Sequence, residues 1–127
     1  MILLDTHVLL WATLEPSRLS ARAAAAIADE SMTVFVSAAS AWEISTKVRN
    51  GRLPQARHLE AEFLEKMDEA GYTLLPIDAA LALRAGRMPG DPRDPFDRII
   101  AAQAVAEDIP LISADTKLDV FPVRRVW

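Results

Sequence analysis

Short apolar runs that alternate with helix-patterned segments are the feature that most restricts the fold of this chain. The runs "MILL" (1–4), "MTVFVS" (32–37), "YTLLPI" (72–77) and "IPLIS" (109–113) have the length and content of buried strands. Strands that alternate with helices indicate a parallel sheet covered on both faces. The sequence therefore predicts a parallel α/β fold, with "VRRVW" (123–127) as an edge strand.

The segments between the runs carry helix start and stop signals. Ser20 is predicted to cap a helix in "LSARAAAAIADE", and "AASAWEISTKVRNG" is predicted to be a helix that closes at Gly51. The apolar spacing over residues 56–70 predicts one amphipathic helix stopped by Gly71, and another helix begins at Asp78.

Length and composition limit the class of protein. The chain has 127 residues, of which 51% are hydrophobic and 25% charged, so we expect a single domain over residues 1–127. It has no cysteine, which excludes disulfides and thiolate metal sites. No apolar run reaches the roughly 18 residues needed to span a bilayer, and "MILLDTH" lacks the basic start of a signal peptide. We expect a cytoplasmic protein without a membrane segment.

Four acidic residues occupy positions at which parallel strands end. Asp5 follows the first strand and Asp115 follows the fourth, while Glu43 and Asp97 lie in the first turns of helices. These positions share the carboxyl edge of the sheet, where α/β proteins bind ligands. Clustered carboxylates repel each other unless a cation neutralises them, and hard oxygen ligands select Mg²⁺ or Mn²⁺. The net charge of −4 argues against a broadly basic nucleic-acid surface, but it is compatible with one metal-filled cleft.

Each acid also has a purely structural interpretation. Asp5 could cap the helix that begins near residue 6, and Asp115 could belong to a turn with Thr116. Glu43 could be the exposed i, i+4 partner of Lys47. The coincidence of all four is less common than any one of them alone.

The stretch "DPRDPFDRIIAAQA" (91–104) concentrates negative charge before an apolar helix. Asp94 is predicted to be the N-cap, since Pro95 suits the first helical position. Asp97 would then lie at the third position, where a carboxylate is favourable without any chemical role. A supporting role of Asp94 in the site is the second interpretation.

Four segments together resemble a known family. "LLDTHVLLW", "VSAASAWEIS", "RDPFDRIIAAQA" and "LISADTKLDVF" are similar, in order along the chain, to the motifs of the PIN domain. Within that family they resemble the VapC-type toxins of toxin–antitoxin pairs. The resemblance implies a three-layer α/β/α sandwich around a central parallel sheet, and metal-dependent endonucleolytic cleavage of RNA.

The resemblance also implies roles for individual residues. It assigns catalysis to four acids: Asp5, Glu43, Asp97 and Asp115. The first and third would hold Mg²⁺ or Mn²⁺ directly, and the other two would bind through water or at a second metal. Thr6 and Ser113 match the small hydroxyl residues that accompany these acids.

Histidines and cations complete the set of candidates. Many relatives carry a histidine shortly before "RDPFDR", where this chain has Asp91 and Pro92, so no histidine is assigned a catalytic role. We expect His7 to be packed or capping and His58 to be exposed. Basic residues near the same edge are predicted to hold the RNA backbone, although each is also explained as a solvated charge. They are Lys47, Arg49, Arg93 and Arg98.

Partners follow from the resemblance and from surplus apolar residues. A VapC-like protein would bind RNA as substrate and a small antitoxin whose inhibitory segment fills the acidic cleft. Trp11, Leu14 and the apolar positions of "LEAEFLEKM" exceed what one small sheet needs, which predicts a homodimer. The alternatives are a catalytically silent PIN-type binding module and a Mg-dependent phosphatase. The phosphatase would need a second acid two positions after Asp5, where His7 stands.

Overall fold

The computed structural model describes residues 1–90 and 94–127. Its five strands are β1 (Ile2–Leu4), β2 (Val34–Ser37), β3 (Thr73–Leu75), β4 (Leu111–Ile112) and β5 (Arg125–Val126). They form one sheet in the order β3-β2-β1-β4-β5, and every neighbouring pair is parallel. The predicted parallel α/β fold, including the edge strand at residues 123–127, is confirmed.

Helices cover the sheet between its strands. They are α1 (Thr6–Leu14), α2 (Ala21–Ala28), α3 (Ala38–Arg49), α4 (Arg57–Ala61), α5 (Phe63–Ala70), α6 (Ala79–Arg87) and α7 (Pro95–Glu107). Over the described ranges, none of these helices is long and apolar enough to cross a membrane.

The prediction of one helix over residues 56–70 is wrong. A 3-10 turn at Pro54–Ala56 leads into α4, and the chain leaves helical geometry at Glu62 before α5 begins. Leu59, Phe63 and Met67 are buried on the two sides of this break and join the same core cluster. Tertiary packing therefore overrides a regular apolar spacing that a single straight helix would also satisfy.

The side chains of β1 point alternately into two separate core clusters. Ile2 and Leu4 face one cluster, to which α1, α2, α4 and α5 contribute, whereas Leu3 faces a second cluster built mainly by α7. Both faces of the sheet are therefore covered. This arrangement confirms the α/β sandwich that the resemblance implied.

The strand order reverses at the centre of the sheet. The chain moves outward from β1 to β2 and β3, then returns to place β4 on the opposite side of β1. Leu4 therefore aligns with Val36 of β2 and with Ile112 of β4. Residues that follow these three positions emerge at one edge of the sheet, next to the reversal.

Local signals set most helix ends where they were predicted. The Ser20 hydroxyl accepts the N–H of Ala23, and the Asp78 carboxylate accepts the N–H of Leu81, so both are N-caps. Gly71 ends α5 with φ of +76°, a left-handed conformation that side chains rarely adopt.

Two glycine substitutions should change stability in opposite directions. Gly71→Ala should lower the free energy of unfolding by about 1 kcal/mol, because alanine is strained in the left-handed region. Gly86→Ala, inside α6, should raise it by about 0.5–1 kcal/mol through helix propensity. At both sites an added Cβ meets no described atom within 4 Å, so packing does not explain a difference in stability between the two variants. Urea denaturation measures the difference; equal effects would contradict the conformational explanation.

Candidate active site

The four predicted acids converge on one cleft at the carboxyl edge of the sheet. Its volume is about 390 Å³, and its walls include Asp5, Glu43, Asp97 and Asp115 together with the helix cap Asp94. The reversal of strand order beside β1 brings these residues together although they are spread over 111 positions of the chain. Their assembly at this edge follows from the parallel topology.

Asp5 is both a helix cap and a wall of the cleft. It is only 3% exposed; its Oδ1 accepts the Thr6 N–H at 2.8 Å, and its Oδ2 accepts the Ser113 hydroxyl at 2.7 Å. Burial raises the pKa of Asp5, while His7 and these hydrogen bonds oppose the rise. The capping interpretation is therefore confirmed without excluding a functional one.

Glu43 has one satisfied and one unsatisfied oxygen. The Lys47 ammonium donates to its Oε2 at 2.6 Å, so the predicted i, i+4 pair exists. The pair is not the exposed one that interpretation supposed, since Glu43 is 6% exposed. Its Oε1 is buried and has no hydrogen-bond partner among the described residues. An unpaired buried carboxylate oxygen is costly, so this atom is a ready acceptor for a ligand.

Asp94 and Asp97 differ in contacts and in environment. Oδ1 of Asp94 accepts the N–H groups of Phe96 and Asp97 at 2.8 and 3.3 Å, which confirms the predicted N-cap. Asp97 is partly buried, and its pKa is raised to about 7 by burial, then by Asp5, Asp94, Glu43 and Asp115. Each named carboxylate therefore acts electrostatically on Asp97.

Ser113 connects two of the acids. Its hydroxyl donates to Asp5 and accepts the backbone N–H of Asp115 at 3.0 Å. Asp115 in turn accepts the Lys117 N–H at 3.0 Å and starts a 3-10 turn, as its structural interpretation predicted. The Thr6 hydroxyl instead pairs with Ser40 at 2.9 Å, a partner that no sequence signal indicated.

His7 reaches the acidic site, which its sequence position did not reveal. The ring packs edge-on against Trp11 at 4.8 Å, so the expectation of a packed side chain is confirmed. In addition, Nε2 accepts the Ala114 N–H at 3.2 Å and Nδ1 lies 3.3 Å from Oδ2 of Asp5. An imidazole that accepts at Nε2 carries its proton on Nδ1, facing Asp5. His58 is 77% exposed, as predicted.

The four predicted RNA-binding cations have different placements. Lys47 lines the cleft, whereas Arg49 is exposed at the end of α3 and does not. Arg93 lies outside the described residues. Arg98 is not part of the cleft wall, and its described hydrogen bonds go to the protein backbone, so its contact with RNA stays a prediction.

The Arg98 guanidinium holds the end of α6 to the start of α7. It donates to the carbonyl oxygens of Ala85 at 3.1 Å and Gly90 at 2.8 Å, and also to that of Met88. Its charged carbon lies 5.5 Å from the centre of the Phe121 ring. Arg98 therefore has a structural role, whatever its contact with RNA.

The donor set has the chemistry of a hard-cation site. Across residues 1–90 and 94–127, no three acidic or histidine side chains are placed to hold one ion directly. The unpaired Oε1 of Glu43 and the raised pKa of Asp97 both identify negative charge that a cation would stabilise. Carboxylate oxygens with water completing the shell suit Mg²⁺, which usually retains several waters.

Asp97→Asn should stabilise the metal-free protein at neutral pH. Because the pKa of Asp97 is raised from 3.8 to about 7 on folding, stability is lost as pH rises through that interval. Solvent screening of this partly exposed group limits the gain in the variant to about 1–2 kcal/mol. Denaturation in EDTA should show this gain at pH 8 and none near pH 4; an equal gain at both values would contradict a charge effect.

Comparisons with known proteins agree with this architecture. Two solved structures share the fold. VapBC2 from Rickettsia felis, bound to a DNA fragment from its promoter, matches with a TM-score of 0.62 and 16% identity over 99% of this chain and 98% of that one. FitAB, bound to an IR36 DNA fragment, matches with a TM-score of 0.67 and 24% identity over 99% of this chain and 94% of that one. Ribonuclease VapC22 of Mycobacterium tuberculosis is 34% identical over 120 residues, 92% of this chain and 88% of that protein. The PIN domain model matches residues 2–123. The chain therefore belongs to the PIN-domain family, and its relatives there include VapC-type ribonucleases.

Proposed function

We propose that this chain is a divalent-metal-dependent endoribonuclease that acts as the toxin of a toxin–antitoxin pair. The observation that carries the proposal is the convergence of Asp5, Glu43, Asp97 and Asp115 on one cleft. The 34% identity to a protein named as a ribonuclease supports RNA as the substrate. The proposal treats residues 1–127 as one catalytic domain that works in the cytoplasm.

The metal would be Mg²⁺ or Mn²⁺. Asp5 and Asp97 would hold it directly, and Glu43 and Asp115 would bind through water or at a second metal. When bound, such an ion activates water for attack on phosphorus and stabilises charge on the phosphoryl oxygens. The unpaired Oε1 of Glu43 supports this donor set, since a buried oxygen without a partner gains from a cation.

Neighbouring groups orient the four acids. Ser113 donates to Oδ2 of Asp5, and the Thr6 N–H donates to Oδ1, so that carboxylate has one fixed orientation. Lys47 neutralises one oxygen of Glu43 and leaves the other available. Asp94 fixes the first turn of α7 and with it the position of Asp97. No covalent nucleophile is required by this arrangement.

Two other functions are less well supported. A catalytically silent binding module has no need of four acids at a place where burial, together with their repulsion, raises the pKa of Asp97. A phosphatase that uses paired aspartates would need an acid at position 7, where the structure has a histidine packed against Trp11.

An antitoxin is the expected protein partner. The solved structures that share this fold are described as VapBC2 and FitAB complexes on DNA. We propose that a small antitoxin binds this chain likewise and places an inhibitory segment in the acidic cleft. The cleft supports this, because its wall also includes the apolar side chains of Leu10 and Leu53.

Asparagine substitutions at Asp94 and Asp97 should separate folding from catalysis. Asp97→Asn should fold yet lose RNA cleavage by orders of magnitude, because it removes charge that holds the metal. Asp94→Asn retains the cap and should cleave nearly as fast, whereas Asp94→Ala should cost about 1 kcal/mol of stability. Thermal melts check folding, and cleavage of cellular RNA is then measured with Mg²⁺ and with EDTA. Loss of cleavage in Asp94→Asn alone would reverse the two assignments; full activity of both would defeat the nuclease proposal.

We predict that the protein is a homodimer in solution. Leu14 and Leu64 are 38% and 69% exposed, and Trp11 is half-buried, so apolar surface is available for a second copy. Symmetric dimers are the commonest closed oligomers. Sedimentation velocity across micromolar concentrations measures the mass, and a clean monomer throughout would contradict the prediction.

A further inference from the structure

Trp42 is a large aromatic residue that is exposed and rests against a second ring. Its side chain is 62% exposed, although it lies in the middle of the regular helix α3. The indole meets the Phe96 ring edge-on, with centroids 4.8 Å apart and an interplanar angle of 81°. Phe96 in turn packs on the core beneath α7. The exposed indole is therefore supported from below by a ring that is anchored in the protein.

The pair lies beside the acidic cleft. Trp42 immediately precedes Glu43 on α3, and Phe96 immediately precedes Asp97 on α7. The side chains of consecutive helical residues point about 100° apart, so each aromatic ring lies to one side of the acid that follows it. Neither ring is part of the cleft wall, which both acids help to form. The Trp42–Phe96 pair therefore joins α3 to α7 next to two residues of the cleft wall.

Electrostatics alone give an RNA strand little attraction to this region. The net charge is −4, and the cleft gathers carboxylates. Lys47 is paired with Glu43, and Arg98 donates to backbone carbonyl oxygens. Arg18, which also lines the cleft, lies over the Trp11 ring and 4.0 Å from a Glu15 oxygen. Single-stranded nucleic acid is otherwise held by aromatic side chains on which unpaired bases stack, a contact that does not depend on phosphate charge.

We propose that Trp42, supported by Phe96, is a stacking platform for one unpaired base next to the phosphodiester that is cleaved. This inference rests on the proposed function and adds a positioning residue for the substrate strand. The platform orients RNA by its base, while the acids act on its backbone. It also gives the enzyme a preference for unpaired RNA, because a base inside a duplex cannot stack on a protein ring.

Binding can be measured without cleavage in the Asp97→Asn background. The probe is a fluorescein-labelled single-stranded RNA that contains the mapped cut site, followed by anisotropy. Trp42→Ala should weaken binding by about 10-fold or more, and Trp42→Leu should do the same, because leucine is apolar but offers no ring face. Trp42→Phe should stay within about 3-fold of the parent. Leu83→Ala, an exposed apolar residue on α6, is the matched control and should change nothing.

Abasic nucleotides identify the base that stacks. One position beside the cut should lose about 10-fold in affinity when its base is removed, and Trp42→Ala should weaken that abasic RNA little further. If the combined loss of affinity is smaller than the sum of the two separate losses, the base and Trp42 are in direct contact. Additive losses at every position would overturn the platform. Equal binding of the Trp42→Leu variant and the parent would overturn it as well.

Failure of the platform can be told apart from failure of the proposed function. If the wild-type chain cleaves no RNA with Mg²⁺ or Mn²⁺, the nuclease proposal and the platform fall together. If it cleaves, Trp42→Ala should raise KM by about 10-fold with kcat nearly unchanged. Cleavage with an unaltered KM would overturn the platform alone. A loss of dimer mass in Trp42→Ala, with RNA affinity unchanged, would assign this surface to a second copy of the chain instead.

Discussion

The central position of β1 is the constraint on which the rest of the structure depends. Its backbone hydrogen-bonds to β2 on one side and β4 on the other, so residues that follow all three strands emerge together. Asp5, the start of α3 and Ser113 are neighbours for this reason alone. The site therefore needs no long loops to assemble it, since the strand order does so.

Gathering acids at one edge costs stability that neighbouring groups partly offset. Asp5 receives two hydrogen bonds, and Glu43 receives an ammonium, yet the pKa of Asp97 is still raised to about 7. These compensations are local, because each comes from a residue within a turn of the acid or from the adjacent strand end. They leave negative charge without a partner, chiefly on Asp97 and on Oε1 of Glu43. A functional ligand can bind to that charge.

Much of this could be predicted from the sequence, because the decisive signals are periodic or local. Apolar runs fix the strands, and capping residues such as Ser20 and Asp78 fix helix starts. The break at Glu62 could not be predicted, since a continuous helix satisfies the same apolar spacing. The backbone contacts of Arg98 could not be predicted for a related reason: its charge is visible in the sequence, but the carbonyl oxygens that accept its hydrogen bonds lie at the preceding helix end. The Thr6–Ser40 pair and the approach of His7 to Asp5 likewise depend on distances between elements.

The Arg98 anchor has a consequence for how this chain can vary. Its guanidinium joins carbonyl oxygens at residues 85, 88 and 90 to the first turn of α7, so it bridges the two flanks of residues 91–93. The start of α7 is thus tied to the end of α6 by one side chain that donates several hydrogen bonds. Among related sequences, a replacement of the arginine should therefore be accompanied by a change in the end of α6 that it binds, because both belong to one set of hydrogen bonds.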